Sequence, residues 1–289
     1  MMILYHNDMN RRLKIRLALF TLLLFVCVIS VYIYVTEIRS KILTVAFLNI
    51  GQGDAIFIEA PNGNQVLIDG GPGRSILREI GAMMPFYDRS IDVVIATHPD
   101  ADHVGGLNDV FDRYKISLFM EPGVDTDTNV YLELKRKIAS TTLIEARRGM
   151  VVELGAGVNL EIIFPVGDVT NWETNDASIV ARLVYGETEF LLTGDAPIKT
   201  ENALIYLGSN LNADILKVGH HGSKTSTSDL FVKAVAPEYA VISSGKENRY
   251  GHPTLEVLKI LENNNVKILR TDTEGRIVFG SDGANLKLK

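Results

Sequence analysis

The stretch THPDADHVGG, Thr97–Gly106, sets two histidines and two aspartates within six residues, directly behind the apolar run IDVVIAT (Ile91–Thr97). Only six histidines occur in 289 residues, so where they fall is informative. An apolar, β-branched run of this length predicts a buried strand, and a strand end is where a rigid sheet presents polar groups. Asp and His also end strands by favouring turns, which accounts for one or two such ends. Here four strands end the same way: NQVLIDGG at Asp69, IDVVIATH at His98, TEFLLTGD at Asp195 and ADILKVGH at His220. Zinc accepts imidazole nitrogen and carboxylate oxygen at about 2.0–2.2 Å, and the weight of carboxylate also suits manganese. In extended backbone His98 and Asp100 can share one cation. Asp102 and His103, at the turn into the next helix, can reach a second, with His220, His221, Asp195 and Asp69 as further donors.

Outward from this loop, short apolar runs recur between turn signals from TVAFLNI (Thr44–Ile50) to GRIVFG (Gly275–Gly280), with hairpin turns legible in PNGN and YGET. Helices are predicted over SILREIGAMM, HVGGLNDVFDRY, YLELKRKIA, KTENALIYL, STSDLFVKAV and PTLEVLKILENN. No low-complexity stretch or long linker interrupts residues 42–289, which therefore read as one domain. Two strand-rich halves, each followed by helices, imply packed sheets flanked by helices.

Residues Leu17–Val35, LALFTLLLFVCVISVYIYV, are nineteen positions without charge, Pro or Gly. As a helix they span roughly 28 Å at 1.5 Å per residue, close to the hydrocarbon thickness of a bilayer. The basic flank RRLKIR keeps residues 1–16 cytoplasmic by the positive-inside rule and sends the remainder across the cell membrane, with Tyr32 and Tyr34 at the interface. A cleaved signal peptide is the competing reading, but the apolar run is too long for one and no A-x-A-like site follows. Net charge is −6; without residues 1–35, 25 basic side chains face 34 acidic ones, a balance of −9. A broad basic footprint for nucleic acid is therefore missing. The single cysteine, Cys27, lies in the apolar run, so no disulfide framework and no thiolate metal site are expected.

HPDADHVGG, preceded by LIDGG and followed by LLTGDA and LKVGHHGSKTSTS, resembles the metallo-β-lactamase fold superfamily, and more narrowly the hydrolase-like domain of the ComEC/Rec2 competence proteins. The resemblance covers residues 42–289 and implies an αββα sandwich behind one N-terminal transmembrane helix, with metal-dependent hydrolysis of an ester or phosphodiester. The superfamily's H-x-H-x-D-H becomes His98, Asp100, Asp102 and His103, with aspartate in place of the second histidine. No histidine lies between His103 and His220, so the third-motif histidine is missing; the competence-type pattern has TNDASIV there, and Asn175, Asp176 or Ser178 would line the site. Asp195 matches the bridging carboxylate. The HHGS histidines match the last motif, with His220 preferred over His221 because it comes first after the strand. Asp69 matches a residue that orients the metal loop without binding metal.

Other marked residues have plain readings beside functional ones. Gly70, Gly71 and Gly73 can approach a phosphate or simply form a tight turn. Ser223 and Lys224 can hold a substrate anion or be loop polar groups. Tyr250 and His252 of NRYGHP can donate to the scissile or leaving group, or complete a turn, and Trp172 can stack on a base or pack. The leading expectation is a membrane-anchored, extracytoplasmic phosphodiesterase using one or two zinc or manganese ions, with a nuclease on single-stranded DNA in DNA uptake as its narrower form. In it Asp102 and His103 fix the metal, and Lys224 or His252 steadies developing charge. One spanning helix forms no pore, so transport would require a membrane channel partner. Lactam, lactone, ester and choline-phosphoester hydrolysis, and a non-catalytic binding homologue, are the alternatives.

Overall fold

The computed structural model describes residues 2–39 and 42–289; Met1, Ser40 and Lys41, and the side chains of residues 2–10 and 35–39, lie outside the description, and with them much of the expected tail. The chain divides into two compact units, Met1–Lys41 and Ile42–Lys289. The first is one helix, α1 (Met2–Arg39), longer at both ends than the apolar run, and its stretch Arg11–Tyr34 is long and apolar enough to cross a membrane.

The second unit is built from two sheets. Strands β1 (Leu43–Phe47), β2 (Ile56–Glu59), β3 (Gln65–Ile68), β4 (Ser90–Ile95), β5 (Lys115–Glu121) and β6 (Thr142–Glu145) begin the first. Strands β7 (Val151–Gly155), β8 (Val158–Phe164), β9 (Val180–Tyr185), β10 (Thr188–Leu192), β11 (Ile215–Lys217), β12 (Tyr239–Ile242) and β13 (Lys267–Arg270) form the second, and β14 (Ile277–Ser281) and β15 (Leu286–Leu288) return to the first. The orders are β15-β14-β1-β2-β3-β4-β5-β6 and β13-β12-β11-β10-β9-β8-β7. Strand β8 alternates buried and half-buried positions, as a strand with one core face does; β3 and β11 are buried on both faces, as strands covered by a layer on each side must be.

Helices α2 (Ser75–Met83), α3 (Ala101–Val104), α4 (Leu107–Arg113) and α5 (Asn129–Ile138) follow strands of the first sheet. Helices α6 (Ile198–Tyr206), α7 (Asp229–Val235), α8 (Leu255–Asn263) and the short α9 (Thr271–Glu274) belong to the second half. Three apolar cores separate four layers: sheet on sheet, including Phe47, Ile95, Phe190 and Phe279; α2–α5 against the first sheet, including Ile80 and Tyr131; and α6–α8 against the second, including Leu204 and Phe231. This is the αββα sandwich implied by the resemblance. The helix expected across HVGGLNDVFDRY is broken in two at Gly105–Gly106. A Cβ on Gly106 would lie 2.1 Å from the Gly70 carbonyl oxygen, so the chain turns where only glycine lets the loops close. Strands β6, β7 and β15 were not anticipated; they are largely exposed edges with no continuous apolar run.

Register places the site. Phe47 pairs with Ile56, Ile56 with Ile68 and Ile68 with Ile95, so the end of β1 and the ends of β3 and β4 share one rim. On the facing sheet Leu192 pairs with Lys217 and Lys217 with Val241, aligning the ends of β10, β11 and β12.

Candidate metal centre

Four strand ends deliver their polar residues to that rim. Asp69 follows β3 in a left-handed conformation, φ 59°, which turns its carboxylate toward the next strand. Its Oδ1 accepts from the Thr97 backbone N–H at 2.8 Å, and its Oδ2 accepts from Thr97 Oγ1 at 2.7 Å and from His103 Nδ1 at 2.8 Å. Thr97 Oγ1 also meets His98 Nδ1 at 3.0 Å, and His221 Nδ1 donates to the Ser243 carbonyl at 3.0 Å. All three buried imidazoles are thus fixed through Nδ1, which leaves Nε2 aimed inward.

Those Nε2 atoms, on His98, His103 and His221, are buried without hydrogen-bond partners, as is Asp195 Oδ1. Asp195 Oδ2 lies 3.3 Å from His103 Nε2 and 3.4 Å from His221 Nε2, and Asp102 Oδ2 lies 3.3 Å from His221 Nε2. Orphaned buried nitrogens facing carboxylates are costly unless a cation joins them, so the donor set fits a divalent ion. Two triples draw on these groups, His98–His103–Asp195 and Asp102–His103–His221, each with ligand atoms within 4.8 Å of one another.

Charge follows from packing. Burial works against a charged His221 ring, but the carboxylates of Asp195 and Asp54 and the neighbouring Asp102 outweigh it and raise the pKa to about 9. Against the same burial, Asp195 and Asp69 hold His103 well above the ordinary imidazole value. Burial, reinforced by the His103 charge, pushes His98 down to about 4. Asp102 sits far below the usual carboxylate range: burial opposes this, but the adjacent His221 ring and the His103 charge prevail.

The remaining expected residues divide. His221 is buried at the centre, whereas His220 stands at its edge, Nε2 3.9 Å from Asp195 Oδ2, with Nδ1 against Thr225 Oγ1 at 3.0 Å. Both residues are left-handed, φ 47° and 55°, and it is the second, not the first after the strand, that turns inward. Asp100 Oδ2 lies 3.7 Å from His98 Nε2 and is 40% exposed, at the mouth. Ser178 Oγ accepts from the Asp195 backbone N–H at 3.3 Å, and Asn175 Oδ1 is buried and unpaired. Asp176 instead pairs with Lys199 at 2.7 Å. His252 has a buried, unpartnered Nδ1, and its ring lies 5.8 Å from His220 and 5.9 Å from Tyr250. Ser223 is tied to Thr225 within its own loop at 3.0 Å, and the exposed Lys224 has no bond or ion pair to the cluster among the described residues. Gly70 and Gly71 abut Leu107 and Ile50, which makes them packing glycines, and Gly73 has open space around it. Trp172 packs against Phe164, ring centroids 6.0 Å apart.

Two residues went unnoticed in the sequence. Asp54, in GQGDA, and Lys217, in DILKVG, are buried beneath the cluster and paired with each other. Gly53, φ 118°, brings Asp54 in: a Cβ there would overlap the Asp102 carbonyl oxygen at 2.0 Å. Above the cluster a cleft of about 350 Å³ is lined by Gln52, Pro72, Ala101, Asp102, Asn248, Arg249 and Tyr250.

With this geometry in place, similarity to known proteins carries weight. ComE operon protein 3 of Bacillus subtilis (strain 168) is 30% identical over 274 residues, 88% of this chain and 35% of that protein. Competence protein ComA of Neisseria gonorrhoeae is 32% identical over 238 residues, 82% of this chain and 32% of that one. The chain spans about a third of the length of these relatives. The structure of Igni18, a novel metallo hydrolase from the hyperthermophilic archaeon Ignicoccus hospitalis KIN4/I, covers 82% of this chain and 98% of that one with TM-score 0.54 at 16% identity, a likeness of fold. Residues 48–246, well over half the sequence, match the family model of the metallo-beta-lactamase superfamily, and the chain belongs to that superfamily.

Proposed function

We propose that the chain is a membrane-anchored, extracytoplasmic phosphodiesterase acting on nucleic acid. The observation that carries the reading is the convergence of three orphaned Nε2 atoms on Asp102 and Asp195 beneath an open cleft. Asp102, His103, His221 and Asp195 would hold the ion, with His98 and Asp100 beside them. A divalent ion there supplies Lewis acidity toward a phosphoryl oxygen and acidifies water. Asp69 holds the His103 ring and the Thr97 backbone in register. His252, biased toward its neutral form chiefly by burial and then by the His220 charge, would donate a hydrogen bond to a leaving oxygen while keeping its proton.

A phosphodiester is favoured over a lactam by the oxygen-rich donor set, in which Asp100 stands where the superfamily has histidine and no histidine replaces the third-motif ligand. Arg249 supplies a cation to the cleft that the net charge of the chain conceals. Kinship with competence proteins makes single-stranded DNA the natural polymer substrate, with a channel-forming partner for uptake. The test uses the full chain in detergent with Mn²⁺ or Zn²⁺ on bis-p-nitrophenyl phosphate and single-stranded DNA, with nitrocefin in parallel. Cleavage of both phosphodiesters, lost at least 100-fold in Asp102→Ala, is expected. Intact phosphodiesters with wild type, or equal rates in the variant, would sink the reading.

A further inference from the structure

The carboxylate–imidazole triples of the centre fall into two pairs, without and with Asp54. His98–His103–Asp195 is buried throughout, and Asp102–His103–His221 includes the partly exposed Asp102. Asp54–Asp195–His221 and Asp54–Asp69–His103 both require Asp54, the residue on which the fully buried Lys217 side chain ends, and make up the deep half of the cluster. The Lys217 ammonium touches Asp54 Oδ2, donates to the Gly194 carbonyl at 2.9 Å and stands 3.8 Å from Asp195 Oδ1. It therefore engages the oxygens that a deep ion would need.

Its position is imposed by the sheet. Lys217 closes β11 between β10 and β12, its carbonyl accepts from Thr193 Oγ1 at 2.8 Å, and the side chain is inaccessible to solvent. Asp195 is accordingly divided: Oδ1 faces the ammonium, and Oδ2 faces His103 and His221. A divalent ion on Asp54 would share one dry carboxylate with a cation that has no solvated place to go, and like charges at such range repel strongly where water cannot screen them. A buried ion pair is a weak source of stability, so its placement under a metal cluster calls for another role.

We propose that Lys217 is a built-in cation that closes the deep half of the cluster to metal, so that the centre takes one divalent ion on the Asp195 Oδ2 side and Asp54 is excluded from its ligands. This rests on the metal-centre reading above. A purely structural Lys217–Asp54 pair predicts something different: its removal would cost stability and leave the ion count unchanged.

The test counts ions on the full chain in detergent micelles, stripped with chelator and titrated with Mn²⁺, by native mass spectrometry and by the paramagnetic resonance signal of free Mn²⁺. Wild type holds one ion at saturation. Lys217→Met keeps the stem, removes the charge and holds two; Asp54→Asn combined with Lys217→Met returns to one. Two ions on wild type, two on the double variant, or one on a Lys217→Met chain with native circular dichroism each overturns the proposal. Should the methionine variant not fold, Lys217→Gln, which also removes the charge, takes its place: two ions are expected, and one on a natively folded Lys217→Gln chain overturns the proposal. Wild type with no ion overturns the metal centre itself, a result distinct from the others, and the proposal with it.

Discussion

Asp69 is buried away from the cleft, yet two strand ends hang on it. One carboxylate accepts from Thr97 twice and from His103 once, so it sets both the backbone before His98 and the ring that follows. Asp69→Asn replaces one acceptor oxygen with an amide donor facing Thr97 or His103. The expected result is a loss of about 10–100-fold in metal affinity by calorimetry, the usual scale for a partner that orients a ligand, with far-ultraviolet dichroism unchanged. Protonation belongs to the same scale. His221, raised to about 9, and His103, raised well above its ordinary value, carry protons in the metal-free chain at neutral pH. Their contribution to stability is complete below the unfolded imidazole value and is lost as pH rises through the folded one. For Asp54 and Asp195, both held below the ordinary carboxylate value, the contribution is present above that value and is lost as pH falls. Loading an ion must displace the imidazole protons, so affinity should climb toward pH 9 and binding at pH 7.5 should release about one to two protons. Calorimetry in buffers of differing ionisation enthalpy measures this; heats independent of buffer would contradict it.

The segment after β11 shows how an element can be forced into an unfavourable shape. Two successive non-glycine residues, His220 and His221, are left-handed, at a cost of about 1–3 kcal/mol each, and only surrounding bonds sustain that. Ser226 Oγ donates to the Gly219 carbonyl at 2.6 Å, the Thr254 N–H donates to the Gly222 carbonyl at 2.9 Å, and Glu201 of α6 accepts from the N–H groups of Thr227 and Ser228. Glu201→Ala leaves both donors without this acceptor, costing about 1–3 kcal/mol for each one buried. Thermal melting should fall by several degrees, and metal affinity should fall with it although Glu201 touches no ligand; unchanged affinity would separate the loop from the centre. The same segment marks the reach of sequence reading. Strand ends finishing in Asp or His were legible because apolar runs and turn residues are local signals. Choosing His221 over His220 depends on two dihedral angles that periodicity does not encode. Asp54 opens an apolar run instead of closing one, and Lys217 is a lone charge inside another, so neither differs in sequence from an ordinary strand boundary or edge lysine. Their pairing arises only when the two sheets close over each other.

At the scale of the molecule, strand register fixes which end of β1 carries the chemistry. The chain enters the sandwich at Leu43, and β1 runs from there to Phe47 on the rim shared with Asp69 and His98, a rise of about 13 Å at 3.3 Å per residue. The centre thus lies at the Phe47 end of β1. In the proposed function the side of the bilayer follows from charge: Arg11, Arg12, Lys14 and Arg16 precede the apolar run Leu17–Val35, and the positive-inside rule would hold them in the cytoplasm. The single cysteine, Cys27, lies within the apolar stretch, where a water-soluble maleimide reacts poorly, so added cysteines report cleanly. Tyr206, 91% exposed at the end of α6, is a surface position in the second unit, and Leu13 precedes the uncharged run Leu17–Val35. In cells with a permeabilised outer envelope and an intact inner membrane, Tyr206→Cys should react with an impermeant maleimide to the same extent as in lysate, and Leu13→Cys should react only after lysis. The reverse pattern would put the hydrolase unit in the cytoplasm, and import of a polymer from outside would then lose its physical basis.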